Sequence, residues 1–474
     1  MIINPGATLT ILPGQSLTVH GVTTLNGAQC LIIKSNNTGT GSFIDNGIIN
    51  GNGTAKVERY ITGNVWHYIS APVTIATASV FSGQYLKSWN ENNYSWSNLI
   101  TPAAPIATLQ GYALKSLSSS TYNFSSKPNT GSLQLLLTRN SNLPLSKQGW
   151  CLAGNPYPSS IDWDAPLGWN KINVDNAVYV YNQSYSNYAV YNNGIGVNGG
   201  SRYLPPMQGF FITCNNNSGG IIEMNNQVRI HNNTGFLKSE AEPDYIRLTL
   251  KNEAWRDEIV VRICQQSSAG FDGQFDAYKF MDGGLSQLWT ENSNSSSVQY
   301  AINTIPDVQN GAEIPVVFRP AHNGLFSITA SEFEHLIQHT GIFLEDLKTG
   351  VTTNLADTPE YYFTADTGDA VHRFVLHFEA AVISGKQPLL PVESSASTVV
   401  PNPNNGVFTV VPGNRIKEQY YISIANAEGR IIYNSSRAMQ GDQRIFAGTL
   451  RRGLYYLRMK TSVRTEIVKF IVAE

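Results

Sequence analysis

Two pairs of closely spaced aspartates have the type and spacing that acid–base chemistry requires. Asp162 and Asp164 flank a tryptophan, and Asp272 and Asp276 lie in the segment "GFDGQFDAYKF". Glycosidases use two carboxylates, one as the acid and the other as the base or nucleophile. Oxygen ligands in a glycine-bearing loop also suit calcium, which needs six or more of them. Because aspartates more commonly cap turns, we expect that role at both pairs and predict neither a catalytic residue nor a metal site.

The histidines and cysteines do not form a recognisable site. His335 and His339 share one face of a predicted helix, but H-x-x-x-H lacks the interior Glu of the zinc-protease motif and has no evident third ligand. Cys30, Cys151, Cys214 and Cys264 are far apart in sequence. Cys151 and Cys214 lie on apolar strands, and either they pair as a disulfide in an oxidising compartment or they remain buried thiols. No cofactor is predicted.

Two hairpins rich in aromatic and amide side chains are the better candidate for a functional surface. Their sequences are "WNENNYSW" and "YNQSYSNYAVY", with Asn-rich turns between aromatic residues. Exposed rings beside amides suit the apolar faces and hydroxyls of sugars, but the same rings also stabilise hairpins by packing across strands. Of the two interpretations we favour packing. The candidate glycan-binding residues are Trp89, Tyr94, Trp96, Tyr181, Tyr185 and Tyr188.

The hairpins belong to two copies of a longer pattern. Each copy has a proline six residues after a tryptophan (Trp66 in the first, Trp150 in the second), then the hairpin, then "LQGY" or "MQGF" before an apolar strand. Two copies are too few for a propeller. We therefore interpret residues 61–238 as one β-domain made of two pseudo-symmetric halves.

The composition indicates a secreted all-β protein with several domains. The chain of 474 residues is too long for one core, and 42% hydrophobic residues support packed domains. Only 14% of residues are charged, while Gly (40) and Tyr (23) are abundant, as in many secreted β-proteins. A net charge of −2 without a Lys/Arg block argues against a nucleic-acid partner. No apolar run approaches the ~20 residues of a transmembrane helix.

The regions on either side of the duplication also predict β-structure. Residues 1–60 repeat short strands separated by Gly/Asn turns, which predicts rungs of a short β-solenoid or β-roll that dock on the next domain or continue a longer solenoid. Residues 244–380 contain seven short strands and predict a second β-sandwich. The best helix candidate is "SEFEHLIQHT", with Ser331 as the N-cap and Glu334 in the capping-box position.

The final segment, residues 399–474, predicts a small β-sandwich of four to six short strands. It contains, in order, P-N-P-x-x-G, E-G-R, G-x-Y and a terminal K-x-x-V. Together these landmarks resemble the C-terminal sorting domain of type IX secretion substrates. They place the sorting signal at Pro401, Asn402, Pro403, Gly406, Gly429, Gly453, Tyr455 and Lys469. The stretch "GWCLAGNPYPSSIDWDAPLGWN", with "PPMQGFFITC" and "VRIHNN", resembles a module of large secreted, adhesin-like surface proteins of Bacteroidota.

The first resemblance implies export through the periplasm to the medium or the outer cell surface. The implied partners are the type IX secretion machinery and a sortase-like peptidase. Residues 381–398, with two prolines and a serine-rich end, fit an accessible linker for that cleavage. Such a substrate needs a signal peptide, and "MIINPG" is not one. We therefore expect the sequence to be a fragment or to begin at a miscalled start.

The sequence as a whole predicts a non-catalytic, structural or adhesive β-protein of the cell surface, with a glycan or cell-surface ligand. One alternative is a carbohydrate-binding accessory region of a larger secreted polysaccharide-degrading enzyme. A second is a hydrolase in its own right.

Overall fold

A computed structural model describes residues 1–473 apart from 184, 232–243, 253–254, 281–283, 293–294, 309–310, 339, 381–396, 403, 405, 413–418, 427–429, 436–437, 442, 447–449 and 462–464. The chain divides into two compact units, Met1–Ala381 and Val382–Glu474. The fold is all-β, as the alternating sequence patterns predict. The helices of the described residues are short 3-10 turns: Ala78–Phe81, Glu91–Asn93, Leu145–Lys147, Asn226–Val228 and Leu336–Gln338.

The first strands stack in parallel. They are β1 (Ile2–Ile3), β2 (Leu9–Ile11), β3 (Ser16–Val19), β4 (Thr23–Leu25), β5 (Leu31–Ile33), β6 (Ser35–Asn36), β7 (Gly39–Thr40), β8 (Ser42–Asp45), β9 (Ile49–Asn50) and β10 (Ala55–Ile61). Three parallel rows form, namely β1-β4-β9, β2-β5-β10 and β3-β8. Ile2 lies opposite Thr24, 22 positions later, and Ser16 opposite Ser42, 26 positions later. Successive turns of the chain therefore form the rungs of a short solenoid, as the repeated strand pattern predicts.

These rungs dock on the residues that follow. Their inward side chains, including Leu31 and Phe43, share one core with Ile69 and Phe124 of the first half of the duplication and with Met207 of the second. The Arg229 guanidinium donates a hydrogen bond to the Phe43 carbonyl (2.6 Å). The His231 ring lies 2.7 Å from both Thr18 Oγ1 and Ser42 Oγ. The expected docking is therefore present, and it closes one side of a stack too short to bury itself.

Two sheets with the same strand order follow. Their strands and those around them are β11 (Trp66–Ile69), β12 (Tyr85–Asn90), β13 (Ser95–Asn98), β14 (Tyr112–Lys115), β15 (Ser120–Ser126), β16 (Leu133–Leu137), β17 (Trp150–Gly154), β18 (Ser160–Asp162), β19 (Trp169–Ile172), β20 (Val178–Asn182), β21 (Asn187–Asn192), β22 (Ile195–Val197), β23 (Tyr203–Leu204), β24 (Gly209–Thr213), β25 (Gly220–Met224) and β26 (Arg229–Ile230). One sheet runs β11-β14-β12-β13 and the other β17-β24-β20-β21-β22. The repeated sequence pattern therefore corresponds to a repeated strand topology. Strands β16-β25-β19 and β23-β18-β26 form smaller sheets, and β15 extends the β2-β5-β10 row.

The two sheets are joined at their Gln-Gly corners. Ile69, at the end of β11, forms an isolated antiparallel bridge with Gln208 of the second corner. Ala153 of β17 forms the equivalent bridge with Gln110 of the first corner. Each copy therefore contributes its corner to the first strand of the other copy, which makes the two halves a reciprocal pair.

Backbone geometry explains why each corner contains a glycine. Leu109 and Met207, which open the corners, both have a positive φ (68° and 61°). A Cβ atom at Gly111 would lie 2.4 Å from the Ala153 carbonyl oxygen, and one at Gly209 would lie 2.9 Å from the Tyr68 Cβ atom. Because only glycine permits such close backbone contact, the two corners are the positions that allow the halves to pack.

The remainder of the first unit is one curled sheet. Its strands are β27 (Tyr245–Lys251), β28 (Arg256–Ile263), β29 (Ala277–Tyr278), β30 (Gln287–Asn292), β31 (Ser295–Ile305), β32 (Ala312–Arg319), β33 (Gly324–Ser331), β34 (Thr340–Asp346), β35 (Val351–Asn354), β36 (Glu360–Ala365) and β37 (Phe374–Ala380). The order is β35-β34-β37-β32-β30-β31-β28-β27-β33-β36, with β29 beside β31. The sheet encloses a core that includes Leu248, Phe318, Phe326, Leu376 and Phe378.

The helix expected at Ser331–Thr340 is wrong. Ser331 ends β33 and Thr340 begins β34, so within the described residues only Leu336–Gln338 are helical. Strand pairing at both ends of the segment overrides its local helical pattern.

Strand β28 is buried on both faces. Ile259 and Val261 point into the core of the curled sheet, whereas Val260 packs in an aromatic core with Tyr179 and Phe211 of the second copy. This explains the uninterrupted apolar run "IVV" in a strand whose neighbours alternate. Because the cores are shared in this way, the domain boundaries at residues 60 and 244 stay predictions.

The second unit is a small sandwich. Its strands are β38 (Thr398–Val400), β39 (Val407–Val411), β40 (Tyr421–Asn426), β41 (Ile431–Asn434), β42 (Gln443–Phe446), β43 (Gly453–Lys460) and β44 (Thr465–Val472). Sheets β38-β39-β42 and β41-β40-β43-β44 enclose a core that includes Phe408, Tyr420, Leu457 and Phe470. The architecture agrees with the predicted C-terminal sandwich.

Candidate functional site

An aromatic cleft of about 550 Å³ lies between the two repeated sheets. Six rings line it: Trp66, Tyr68, Trp96, Tyr181, Tyr188 and Phe280. Lys87 and Gln183 add polar groups to the rim. Both copies contribute rings because the reciprocal corners bring β11 of the first sheet beside the hairpin of the second. We refer to this site as the aromatic cleft.

Tyr68 organises the rings of the aromatic cleft. Its ring centroid lies 5.7 Å from that of Trp96, 6.3 Å from that of Tyr181 and 6.4 Å from that of Tyr188. The hydroxyls of Tyr68 and Tyr188 are hydrogen-bonded to each other at 2.7 Å. Tilted rings at these separations attract one another, so the lining is held in place before any ligand arrives.

Two polar side chains contact Trp66 at the edge of the cleft, one at its indole and one at its backbone. Lys87 Nζ lies 4.9 Å from the Trp66 ring centroid, a cation–π contact. The Gln183 side-chain amide donates a hydrogen bond to the Trp66 carbonyl (2.8 Å). A ligand ring lying on Trp66 would therefore meet a cationic amine and an amide at the same position.

A second cavity, of about 470 Å³, adjoins the aromatic cleft. Tyr68, Tyr181 and Gln183 line both spaces. His67 lines the second cavity, and burial lowers the pKa of its imidazole, which favours the neutral ring. Together the two spaces form an aromatic groove with a polar extension.

The structure separates the six candidate rings into two groups. Trp96, Tyr181 and Tyr188 line the aromatic cleft, and Trp89, Tyr94 and Tyr185 are not among its lining residues. Tyr185 packs against the guanidinium of Arg256, 3.9 Å from its ring centroid. Glycan binding by any of the six stays a prediction.

Trp89 is partly buried and packs against the aromatic core. Its ring meets Tyr94, Trp96 and Phe211 edge to face at 4.9, 5.0 and 5.3 Å. Its indole N–H donates to the Trp150 carbonyl at 2.6 Å. These contacts are the cross-strand and inter-sheet packing that the sequence pattern favours.

Sequence reasoning missed Trp66, Tyr68 and Phe280 as cleft residues. Trp66 and Tyr68 are alternate residues of β11, so a period-2 pattern places both on one face. That signal was present in the sequence, but it does not identify which surface the face meets. Phe280 comes from a distant segment, and only the tertiary packing brings it to the hairpins.

The carboxylates of the first aspartate pair, Asp162 and Asp164, accept hydrogen bonds from neighbouring residues. Asp162 accepts two from the Arg202 guanidinium, both at 2.7 Å, and one from the Asp164 backbone N–H at 3.0 Å. The Asp164 carboxylate accepts a hydrogen bond from the Tyr191 hydroxyl. These contacts are those of a capped turn fixed by an ion pair.

The second aspartate pair also caps a turn. Asp276 accepts hydrogen bonds from the Asp272 and Thr304 backbone N–H groups at 2.7 and 2.6 Å. Asp272 accepts one from the Gln274 N–H at 3.0 Å. Among the described residues, no group of three or more His, Cys, Asp or Glu side chains is placed to hold a metal ion.

Asp276 makes the stability of the protein depend on pH. Burial raises the pKa of its carboxyl from 3.8 to about 7, although the backbone donors oppose that change. A raised folded-state pKa stabilises the fold below pH ~4, and this contribution is lost as the pH rises through about 7. We expect the free energy of unfolding of the wild type to fall between pH 4 and 7, relative to Asp276→Asn, by at most about 4 kcal/mol.

Denaturant unfolding at several pH values measures this difference. Asp272→Asn, a change in the same turn, is the matched control and should keep the wild-type pH profile. Parallel profiles for the wild type and Asp276→Asn would contradict the prediction.

Among the described residues, the remaining histidine and cysteine candidates form no metal-binding group of three or more. His335 contacts Asp244, and His339 lies outside the described residues. All four cysteines are free, so Cys151 and Cys214 are separate thiols. Burial raises the pKa of Cys151 to about 12, which keeps it protonated.

Most of the sorting-signal residues have defined structural roles. The Asn402 side chain accepts a hydrogen bond from the Ile471 N–H (2.8 Å), which ties the segment around Pro401 to β44. Gly406 has a φ of 90°, and Gly453 begins β43. Pro403 and Gly429 lie outside the described residues.

Tyr455 and Lys469 of the sorting signal differ in burial. Tyr455 is buried, stacks on Phe470 at 5.7 Å and donates its hydroxyl to the Arg451 carbonyl (2.6 Å). Lys469, on β44, is exposed. The tyrosine therefore maintains the sandwich core, and the lysine belongs to its surface.

Each of the two units matches a known protein family. Residues 1–378 match the family described as "Domain of unknown function (DUF8693)". The chain belongs to this family. Residues 398–473 match the secretion system C-terminal sorting domain. This second match confirms the predicted type IX substrate, and the DUF8693 chain is exported and either secreted or attached to the cell surface.

Among curated proteins, the chain is similar to the minor fimbrium subunit Mfa5 of Porphyromonas gingivalis. The two are 26% identical over 437 residues, which cover 80% of this chain and 35% of the subunit. The chain therefore spans about a third of the length of that relative. A solved structure titled "Ca2+-stabilized adhesin helps an Antarctic bacterium reach out and bind ice" covers 89% of this chain and 94% of its own, at 11% identity. Its TM-score of 0.12 is too low to show a shared fold.

The described part of the chain contains no helix that is long and apolar enough to cross a membrane.

Proposed function

We propose that this DUF8693 protein is a non-catalytic, adhesive component of the cell surface, and that the aromatic cleft binds glycans. The observation that carries the proposal is the cleft itself, where rings from both sequence copies line one space. The fimbrial name of its relative Mfa5 supports an adhesive role.

The chemistry of the aromatic cleft fits a saccharide. The C–H faces of a pyranose ring are apolar and stack on flat aromatic side chains, while its hydroxyls need hydrogen-bonding partners at the rim. Trp66 and Trp96 provide flat faces, and Gln183 provides an amide. A volume of about 550 Å³ lies within the range of small-ligand sites and suits a short oligosaccharide.

The residues that line the aromatic cleft also favour ligand binding over catalysis. Most glycoside hydrolases use two carboxylates beside the bound sugar, whereas the residues that line the aromatic cleft include no Asp or Glu among those described. The aspartate pairs considered for catalysis are engaged in capped turns elsewhere. Binding without turnover is therefore the activity that the cleft supports best.

A glycan array probed with the full-length protein tests the proposal. We expect binding to a defined set of oligosaccharides, and Tyr181→Ala should weaken it at least tenfold, which corresponds to about 1.4 kcal/mol. The physical reason is that Tyr181 lines both the aromatic cleft and the adjoining cavity. Binding constants for the positive glycans, measured by calorimetry, give the fold-change.

Tyr85→Ala is the matched control, because Tyr85 is an exposed aromatic residue of the first hairpin and does not line the aromatic cleft. It should bind like the wild type. No array signal with the intact protein, or equal losses from both variants, would refute a glycan site in the aromatic cleft.

The alternative function, a carbohydrate-binding accessory region of a larger enzyme, would use the same aromatic cleft. The kind of glycan distinguishes the two roles: insoluble structural polysaccharide indicates an accessory region, and short glycans of cell surfaces indicate an adhesin. Attachment of cells with and without Tyr181→Ala to the matching surface then measures adhesion directly.

A further inference from the structure

A lysine and an aspartate meet in the interior where the second hairpin packs on the curled sheet. Lys279 Nζ lies 2.5 and 2.6 Å from the two carboxylate oxygens of Asp257. The side chains are 3% and 0% exposed. Removing two charges from water is costly, so such a pair persists only when its remaining polar atoms are also bonded.

The carboxyl of Asp257 is held by several fixed donors. Its Oδ1 atom accepts from the side-chain amides of Asn187 (2.8 Å) and Asn198 (3.0 Å) and from the Glu258 backbone N–H (3.0 Å). Its Oδ2 atom accepts one from the Leu288 N–H (2.8 Å). Three N–H groups aimed at one oxygen are the arrangement that stabilises the oxyanion of an acyl-transfer reaction.

The amine is prepared as the matching nucleophile. Burial lowers the pKa of Lys279, which favours the neutral amine over the ammonium ion. A desolvated lysine amine is a nucleophile that proteins use in covalent chemistry. The acid and the amine are thus in contact, away from water.

We propose that Lys279 and Asp257 condense to form an intramolecular amide bond. A proton first passes from the ammonium to Oδ2, which gives a neutral amine and a carboxylic acid. The nitrogen lone pair then forms a bond to Cγ, and the negative charge develops on Oδ1, where Asn187, Asn198 and the Glu258 N–H stabilise it. The Cγ–Oδ2 bond breaks, and Oδ2 leaves as water with a second proton from the nitrogen. The reaction consumes one ammonium and one carboxylate, yields one amide and one water, and needs no other reagent.

Two other ion pairs show which features matter. Arg373 and Asp346 form a buried bidentate pair (2.9 and 2.8 Å), but a guanidinium is not a nucleophile under these conditions. Lys348 and Asp369 form a bidentate pair at 2.7 Å, but the lysine side chain is 46% exposed and therefore in contact with water. Only the Lys279–Asp257 pair among these three combines a primary amine, a carboxyl and exclusion from water.

The amide would close a covalent ring between the start of β28 and the residue that follows β29. Both strands pair with β31, so the bond would join elements that are already neighbours. A surface protein pulled at its ends would then be unable to extend the residues between 257 and 279. This consequence holds whatever ligand the aromatic cleft takes.

Mass spectrometry of the denatured full-length protein tests the bond. We expect the wild type to weigh less than its sequence by one water molecule, and Lys279→Ala and Asp257→Ala to have their full sequence masses. Lys348→Ala, the matched control, should keep the loss of water.

Peptide mapping locates the modification. Trypsin cleaves after Arg256 and Arg262, and it would also cleave after a free Lys279. We expect no cleavage after Lys279, and a branched peptide in which residues 257–262 are attached to it. A wild-type mass equal to the sequence mass after long incubation would overturn the proposal. So would a loss of water that maps elsewhere, such as a cyclic imide at Asp272–Gly273. Both decisive results come from the wild type, so the proposal does not depend on how the variants fold.

Discussion

Deletion of residues 399–474 is expected to leave the protein in the periplasm. The deleted segment matches the secretion system C-terminal sorting domain and forms a compact unit separate from Met1–Ala381. The truncated chain therefore retains the interior contacts of the first unit and loses only the segment that the export machinery recognises. Cell fractionation and surface labelling, in a host with type IX secretion and with the same leader supplied to both forms, measure the effect.

Two point variants test whether surface display depends on the folded C-terminal sandwich. Tyr455→Ala removes a buried ring and its hydrogen bond to the Arg451 carbonyl, at a cost of about 3 kcal/mol or more. A sandwich of this size has a total stability of about 4–11 kcal/mol, so surface display should fall sharply. Lys460→Ala, an exposed change on the same strand, should alter stability by less than about 0.5 kcal/mol and leave display unchanged. Normal surface display of the truncated chain would rule out a sorting role for the segment.

The sequence predicted local patterns well because those patterns are recorded in neighbouring residues. Alternating strands, Gly/Asn turns, the repeated Gln-Gly corners and the ordered landmarks of the sorting domain all depend on spacing within a few residues. The duplicated pattern corresponds to a repeated strand order in which Gln110 and Gln208 form reciprocal bridges, and a single domain over residues 61–238 stays a prediction.

Features that depend on contacts between distant residues were not predictable in the same way. Phe280 reaches the aromatic cleft only because the curled sheet packs on the second hairpin. Lys279 meets Asp257 only because β28 and β29 both pair with β31. Nothing in the spacing of these residues indicates that packing. The helix expected at Ser331 failed for a related reason, since strand pairing with distant partners outweighed a local cap. The apolar run of β28 was a readable signal of burial on two faces, but it did not identify the two partners.

Trp89→Ala is expected to lower the free energy of unfolding of the first unit by about 3–5 kcal/mol. The indole meets three rings edge to face and donates a hydrogen bond to the Trp150 carbonyl, so its removal leaves both a cavity and an unpaired acceptor. Thermal and denaturant unfolding of the full-length protein, followed by the signal of the first unit, give the loss. Trp89→Phe keeps a ring but not the N–H group. Its free energy of unfolding should therefore be only about 1–3 kcal/mol below that of the wild type.

The same variants decide what Trp89 does for a ligand. Tyr85→Ala, on the same strand and 58% exposed, should change the free energy of unfolding by less than about 0.5 kcal/mol. A large loss for Trp89→Ala beside a negligible one for Tyr85→Ala assigns Trp89 to packing, because only a ring that packs against its neighbours leaves a cavity when it is removed. If Trp89→Ala instead kept its stability and lost binding on the glycan array, the indole would belong to the ligand site. The contacts of Trp89 with Phe211 and Trp150 support the first result, since they join the two sequence copies through a ring that does not line the aromatic cleft.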